Sequence, residues 1–111
     1  EEPRELAAAL ASLEGGSDCV IVECLTLWVS NLMGAGHDDA RILGEGRALA
    51  GRARTTSFAT IFVTDEVGSA IVPDNPMARR FRDLLGWVNQ EIARAADEVV
   101  LMVAGYPVRV K

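Results

Sequence analysis

The chain has 111 residues, half of them apolar, with 11 Lys and Arg against 16 Asp and Glu and a formal charge of −5. That length suits one domain with a real core, burying roughly 65% of its unfolded surface and having little stability to spare. The acidic balance argues against duplex nucleic acid as the main partner, since that needs clustered Lys and Arg, yet it leaves room for a nucleotide held by backbone N–H groups and a metal ion.

Cys19 and Cys24 lie in one apolar run, and no second Cys or His pair completes a zinc pattern. A disulfide framework is not expected, and a reducing, cytoplasmic compartment is. No signal peptide is expected, and no apolar stretch of the sequence reaches the ~18–20 residues of a membrane span.

In chain order, Glu1-Glu2-Pro3 opens a helical pattern with Leu6, Ala9, Leu10 and Leu13 on one face. Pro3 suits a first helical turn, the acidic pair suits the positive end of the helix dipole, and Gly15-Gly16 stops the helix. Cys19 to Val22, rich in β-branched residues, reads as a strand buried on both faces. Leu25 to Met33 reads as a helix with Leu25, Trp28, Val29 and Leu32 in one stripe, followed by a loop from Gly34 to Asp39. A second helix is expected from about Arg41 to Ser57, with Leu43, Ala50 and Ala53 as its apolar face and three glycines lowering its propensity.

Ala59 to Thr64 reads as the second buried strand, and Asp65 to Asp74 as a loop. Asn75 caps a helix with Pro76 at its first position. Met77, Phe81, Leu84, Leu85, Val88, Ile92 and Ala96 trace its apolar face, with Arg79, Arg80, Arg82, Glu91 and Arg94 opposite. Glu98 to Ala104 is the expected third strand, turned by Gly105-Tyr106-Pro107, with Val108 to Val110 returning antiparallel. Alternating buried strands and helices imply an α/β sandwich with a mostly parallel sheet.

Two places carry candidate chemistry. Glu23 stands where a strand ends and a helix begins, the edge at which open α/β sheets bind ligands and NTPases hold Mg²⁺ beside a phosphate. It reads equally as an acid that leaves a strand and caps the next helix. The stretch Thr64-Asp65-Glu66-Val67-Gly68-Ser69-Ala70-Ile71-Val72-Pro73 also follows a strand and ends at a helix N-terminus, so it can line an anion or a metal, or be plain solvated loop. His37, the only histidine, reads as a solvent-exposed loop residue. Arg79, Arg80 and Arg82 suit a solvated helix face rather than a phosphate, and Trp28 and Trp87 suit core or interface anchors. Neither G-x-x-x-x-G-K-[ST] nor G-x-G-x-x-G occurs.

Several segments together resemble the bifunctional adenosylcobinamide kinase / adenosylcobinamide-phosphate guanylyltransferase family. They are Glu1-Glu2-Pro3 with its Leu/Ala helix, the run from Val20 to Leu32, Val63 to Asn75, Ala78 to Gln90, and Ala95 to Pro107. The resemblance implies a three-layer sandwich of the P-loop NTPase (RecA-like) kind, with residues 1–111 a single partial domain whose N-terminal βα part, bearing the P-loop and a guanylylated histidine, lies upstream. It implies phosphorylation of adenosylcobinamide by ATP or GTP, then GMP transfer from GTP to give adenosylcobinamide-GDP in cobalamin biosynthesis, with Mg²⁺ as companion and a homo-oligomer as assembly.

Glu1 and Glu23 match family positions associated with the guanine nucleotide. Thr64, Asp65, Glu66 and Gly68 fall in a signature near the active site, although Asp65 stands where the family commonly has Asn. That swap adds a negative charge beside a presumed phosphate site. His37 matches no family histidine. Residues 1–111 alone are expected to be inactive. The alternatives are a catalytically dead short homologue serving as an assembly or regulatory partner, and a fragment of a different P-loop ATPase.

Overall fold

In the computed structural model, which describes residues 2–111, the elements run α1 (Leu6–Ser12), β1 (Cys19–Glu23), α2 (Leu25–Gly34), α3 (Asp39–Ala53), β2 (Ala59–Val63), α4 (Pro76–Ala95), β3 (Val100–Val103) and β4 (Tyr106–Arg109). Helices and strands alternate except where α3 follows α2 and β4 follows β3. The helix starts follow local capping chemistry. Asp38 accepts the N–H of Arg41 at 2.8 Å, and Asn75 accepts those of Met77 and Ala78 at 2.8 and 3.2 Å.

The first helix begins later than expected. The Glu2 carboxylate accepts the backbone N–H groups of Arg4 and Glu5, each at 2.8 Å. Those bonds, the one from Glu5 foremost, hold its carboxyl below the usual range. Pro3 therefore stands in the turn before α1, not in its first turn. This segment is tied to α2, whose Trp28 Nε1 donates to the Arg4 carbonyl at 2.6 Å and whose Asn31 Nδ2 donates to the Pro3 carbonyl at 3.1 Å.

The core sits among the helices. Leu25, Val29 and Leu32 of α2 meet Ile42 and Leu49 of α3 and Leu84, Leu85 and Val88 of α4, all fully buried. The buried face of α3 is Ile42, Gly46, Leu49 and Ala50, with Leu43 and Ala53 only half-buried. A Cβ on Gly46 would lie 3.4 Å from Val88 Cγ2, so the missing side chain sets how near α3 and α4 approach. The same helix starts two residues earlier than expected and ends at Ala53 rather than Ser57. On α4 the expected face holds from Phe81 onward, but Met77 is exposed.

β1 and β2 are parallel, pairing Cys19 with Ala59, Ile21 with Ile61 and Glu23 with Val63. Val20, Val22, Thr60 and Phe62 point toward the helices, whereas Cys19, Ile21, Ala59, Ile61 and Val63 are exposed. The expectation of strands buried on both faces is thus corrected: among the described residues, helices cover only one face. The antiparallel return after the third strand is as expected, but that strand is shorter than Glu98 to Ala104, does not join β1 and β2, and is followed by a returning strand that already includes Tyr106 and Pro107. β3 pairs antiparallel with β4 in its own two-stranded sheet, and all eight residues are exposed. Ala104 and Gly105, both at positive φ, form the two-residue connection such a hairpin needs. Lys111 Nζ donates to the carbonyls of Ala93, Arg94 and Ala96 at 2.6–3.1 Å, closing the C-terminal end of α4. Among the described residues no helix is long and apolar enough to cross a membrane.

Candidate nucleotide edge

Parallel pairing decides which residues share an edge. Because β1 and β2 run the same way and Glu23 is the register partner of Val63, Glu23 and the loop entered at Thr64 emerge side by side at the carboxyl end of the sheet. The Glu23–Cys24 peptide is cis. The cap of α2 is Cys24, whose Sγ accepts the N–H of Leu27 at 3.4 Å. Glu23 therefore does not cap the following helix, and its carboxylate stands exposed at the strand end. Glu1, the other acid matched to a nucleotide, lies outside the described residues.

The first residues of the loop are held from two sides. Thr26 Oγ1 on α2 accepts the N–H of Asp65 at 3.1 Å. Asn89 on α4 donates from Nδ2 to the Asp65 carbonyl at 3.1 Å, and its Oδ1 accepts the Thr64 hydroxyl at 2.8 Å. Further along, the Gly68 N–H donates to Glu66 Oε1 at 3.0 Å. At the far end Arg79 Nη1 donates to the carbonyls of Pro73 and Asp74 at 2.9 and 2.7 Å. Sequence reasoning missed Thr26 and Asn89. They lie 39 and 24 residues from Asp65 along the chain, and only the packing of α2 and α4 brings them there.

The helix N-terminus at this edge is that of α2, not that of α4. Asn89 sits thirteen residues into α4 from Pro76, about 20 Å at 1.5 Å per residue, so the loop spends its length returning along the helix. Ile71 and Val72 lie exposed on that stretch. The arginines are equally remote. Arg80 Nε meets Asp39 Oδ1 at 2.7 Å and its Nη2 donates to the His37 carbonyl at 2.9 Å, while Arg82 pairs with Asp83. Arg79 and Arg80 therefore fasten loops while remaining partly exposed to solvent. His37 is half-buried, not solvent-exposed, and its Nδ1 is buried without a hydrogen-bond partner.

Of the tryptophans, Trp28 is a core residue. Trp87 is exposed beside Leu43, Arg47, Gln90, Glu91 and Arg94, around a depression of about 260 Å³. A second concavity, about 450 Å³, lies at the opposite end of the strands, lined by Gly15 to Asp18 and Ser57.

The electrostatics of the edge are those of unneutralised acids. Among the described residues no Lys or Arg forms an ion pair with Glu23, Asp65 or Glu66, and no three His, Cys, Asp or Glu converge to hold a metal on their own. Such an edge repels a bare anion but suits a nucleotide that arrives with its cation, because Mg²⁺ keeps most of its waters and takes only one or two protein carboxylates.

The chain matches the family described as cobinamide kinase / cobinamide phosphate guanyltransferase over residues 1–110. It is 39% identical over 111 residues to the bifunctional adenosylcobalamin biosynthesis protein CobP of Pseudomonas aeruginosa, covering 100% of this chain and 64% of that protein. It is 40% identical over 106 residues to the bifunctional adenosylcobalamin biosynthesis protein CobU of Salmonella typhimurium, covering 85% of this chain and 59% of the relative. The CobU of Escherichia coli is 36% identical over 107 residues, covering 86% and 59%. The chain thus spans less than two thirds of the length of these relatives.

Proposed function

The chain belongs to the cobinamide kinase / cobinamide phosphate guanyltransferase family, and from that membership we propose that the carboxyl edge of β1 and β2 is its share of a nucleotide site serving adenosylcobalamin biosynthesis. The observation that carries this is the in-register pairing of Glu23 with Val63, which sets an uncommitted carboxylate beside the Thr64–Asp65 loop. In this reading the protein phosphorylates adenosylcobinamide with ATP or GTP and transfers GMP to the phosphate. The family's names and the geometry of a strand-end carboxylate support it.

The exposed Glu23 carboxylate can accept hydrogen bonds from the nucleotide or take a place on the Mg²⁺ that accompanies the phosphates, where the cation offsets their charge. Thr26 and Asn89 hold the loop so that Thr64 and Asp65 stay at fixed distance from Glu23. The sequence carries no P-loop, and its lone histidine is fastened beside Arg80, remote from this edge. In this proposal the phosphate cradle and the histidine that accepts GMP come from outside the 111 residues, completing a three-layer, P-loop-like domain in a cytoplasmic homo-oligomer.

The test is titration of the protein, as its gene encodes it, with GTP and ATP, with and without Mg²⁺, against Glu23→Gln. A lost charge-assisted bond corresponds to a loss of affinity of about 10–100-fold. If Glu23 acts through the cation, the loss is confined to the Mg²⁺ titrations; if through the base or ribose, it persists without metal. Unchanged affinity in both would overturn the assignment.

A further inference from the structure

Resting on the nucleotide reading of this edge, we infer that Asn89 is a positioning residue that sets which hydroxyl of the edge donates and which accepts. A carbonyl oxygen only accepts, so the Asn89 group facing the Asp65 carbonyl at 3.1 Å is its NH₂. That fixes the amide orientation and turns Oδ1 toward Thr64. Thr64 has a single hydroxyl proton, and it is given to Asn89 Oδ1 at 2.8 Å. Its oxygen therefore meets a ligand as an acceptor only. Thr26 is set the opposite way. Its oxygen accepts the Asp65 N–H at 3.1 Å, which leaves its proton to give.

The edge thus carries an ordered pattern of acceptors at Glu23 and Thr64 and a donor at Thr26. Asp65 fixes the spacing because its N–H and its carbonyl are each tied to a different helix. A nucleoside phosphate with its hydrated cation matches the pattern: ribose hydroxyls or metal-bound waters donate to the acceptors, and an oxygen of the nucleotide accepts from Thr26. Asn89 touches none of these groups itself. It acts through Thr64 and Asp65.

Two variants separate this from a plain structural role. Asn89→Asp keeps the acceptor for Thr64 but presents an ionised oxygen to the Asp65 carbonyl. Thr64→Val removes the hydroxyl, and Thr64→Ser restores it. Ser57→Ala serves as control, since it removes a hydrogen bond to Glu14 of 2.8 Å at the opposite end of the strands. With the gene-encoded protein and Mg²⁺–GTP as probe, Asn89→Asp and Thr64→Val are each expected to weaken binding about tenfold, while Thr64→Ser and Ser57→Ala stay near wild type. Read as a ratio to wild type, the Asn89→Asp defect should shrink as pH falls, because a protonated carboxyl regains an O–H to donate to the Asp65 carbonyl.

Should Asn89→Asp lower the melting temperature as Ser57→Ala does yet bind Mg²⁺–GTP like wild type, with no pH-dependent recovery, the positioning role is overturned and the nucleotide reading survives. Should wild type itself fail to bind Mg²⁺–GTP, both fall.

Discussion

Single side chains do two kinds of work in this chain, and Trp28 and Glu23 show the contrast. Trp28 is 3% exposed, and its Nε1–H meets the Arg4 carbonyl at 2.6 Å, so one ring both fills the core and moors the segment before α1. Trp28→Phe keeps most of the apolar burial but leaves that carbonyl without its donor. A cost of about 1–2 kcal/mol is expected, read from urea unfolding midpoints, with the slope unchanged. No loss would mean that the hydrogen bond adds nothing beyond the packing. Glu23 makes no such contribution. It was legible in the sequence as a candidate because an acid closing an apolar strand stands where open α/β sheets bind ligands, and the capping role that the sequence left open to it is filled by Cys24. Thr26 and Asn89 were not legible. Each is a polar residue on a helix, and nothing local marks it as a partner of Asp65.

At the scale of the elements, α3 was the hardest to place from its residues. Its three glycines depress helix propensity, and the apolar stripe was assigned to Leu43 where the packed residue is Ile42. A shift of one position turns a helix by 100°, and α3 has too few large apolar residues to fix the phase from pattern alone. The structure separates its glycines by environment. Nothing lies within 4 Å of a Cβ at Gly51, whereas one at Gly46 would press on Val88. Gly51→Ala is expected to stabilise the protein by up to about 1 kcal/mol through helix propensity. Gly46→Leu is expected to cost about 1–3 kcal/mol by overpacking against α4. Equal effects on thermal unfolding would contradict the close approach of α3 and α4. The fourth helix was read more completely, because Asn75-Pro76 and a long amphipathic run agree with one another.

For the molecule as a whole, the alternation of helix and strand was legible, and so was the parallel pairing of β1 with β2. Which faces are covered was not. Ile21 is 63% exposed and Ile61 49%, and both β3 and β4 lie open, because burial depends on what packs against a strand rather than on its own composition. The site follows the same logic, since parallel register and two crossing helices assemble the edge from three distant stretches of chain. The most direct test is to follow backbone amide resonances while Mg²⁺–GTP is titrated into the gene-encoded protein. The largest shifts are expected at Glu23, Cys24 and Thr64 to Glu66, with Thr26 and Asn89 moving alongside. Shifts gathered instead at Gly15 to Asp18 and Ser57, around the concavity at the other end of the strands, would contradict the assignment of the nucleotide to the carboxyl edge.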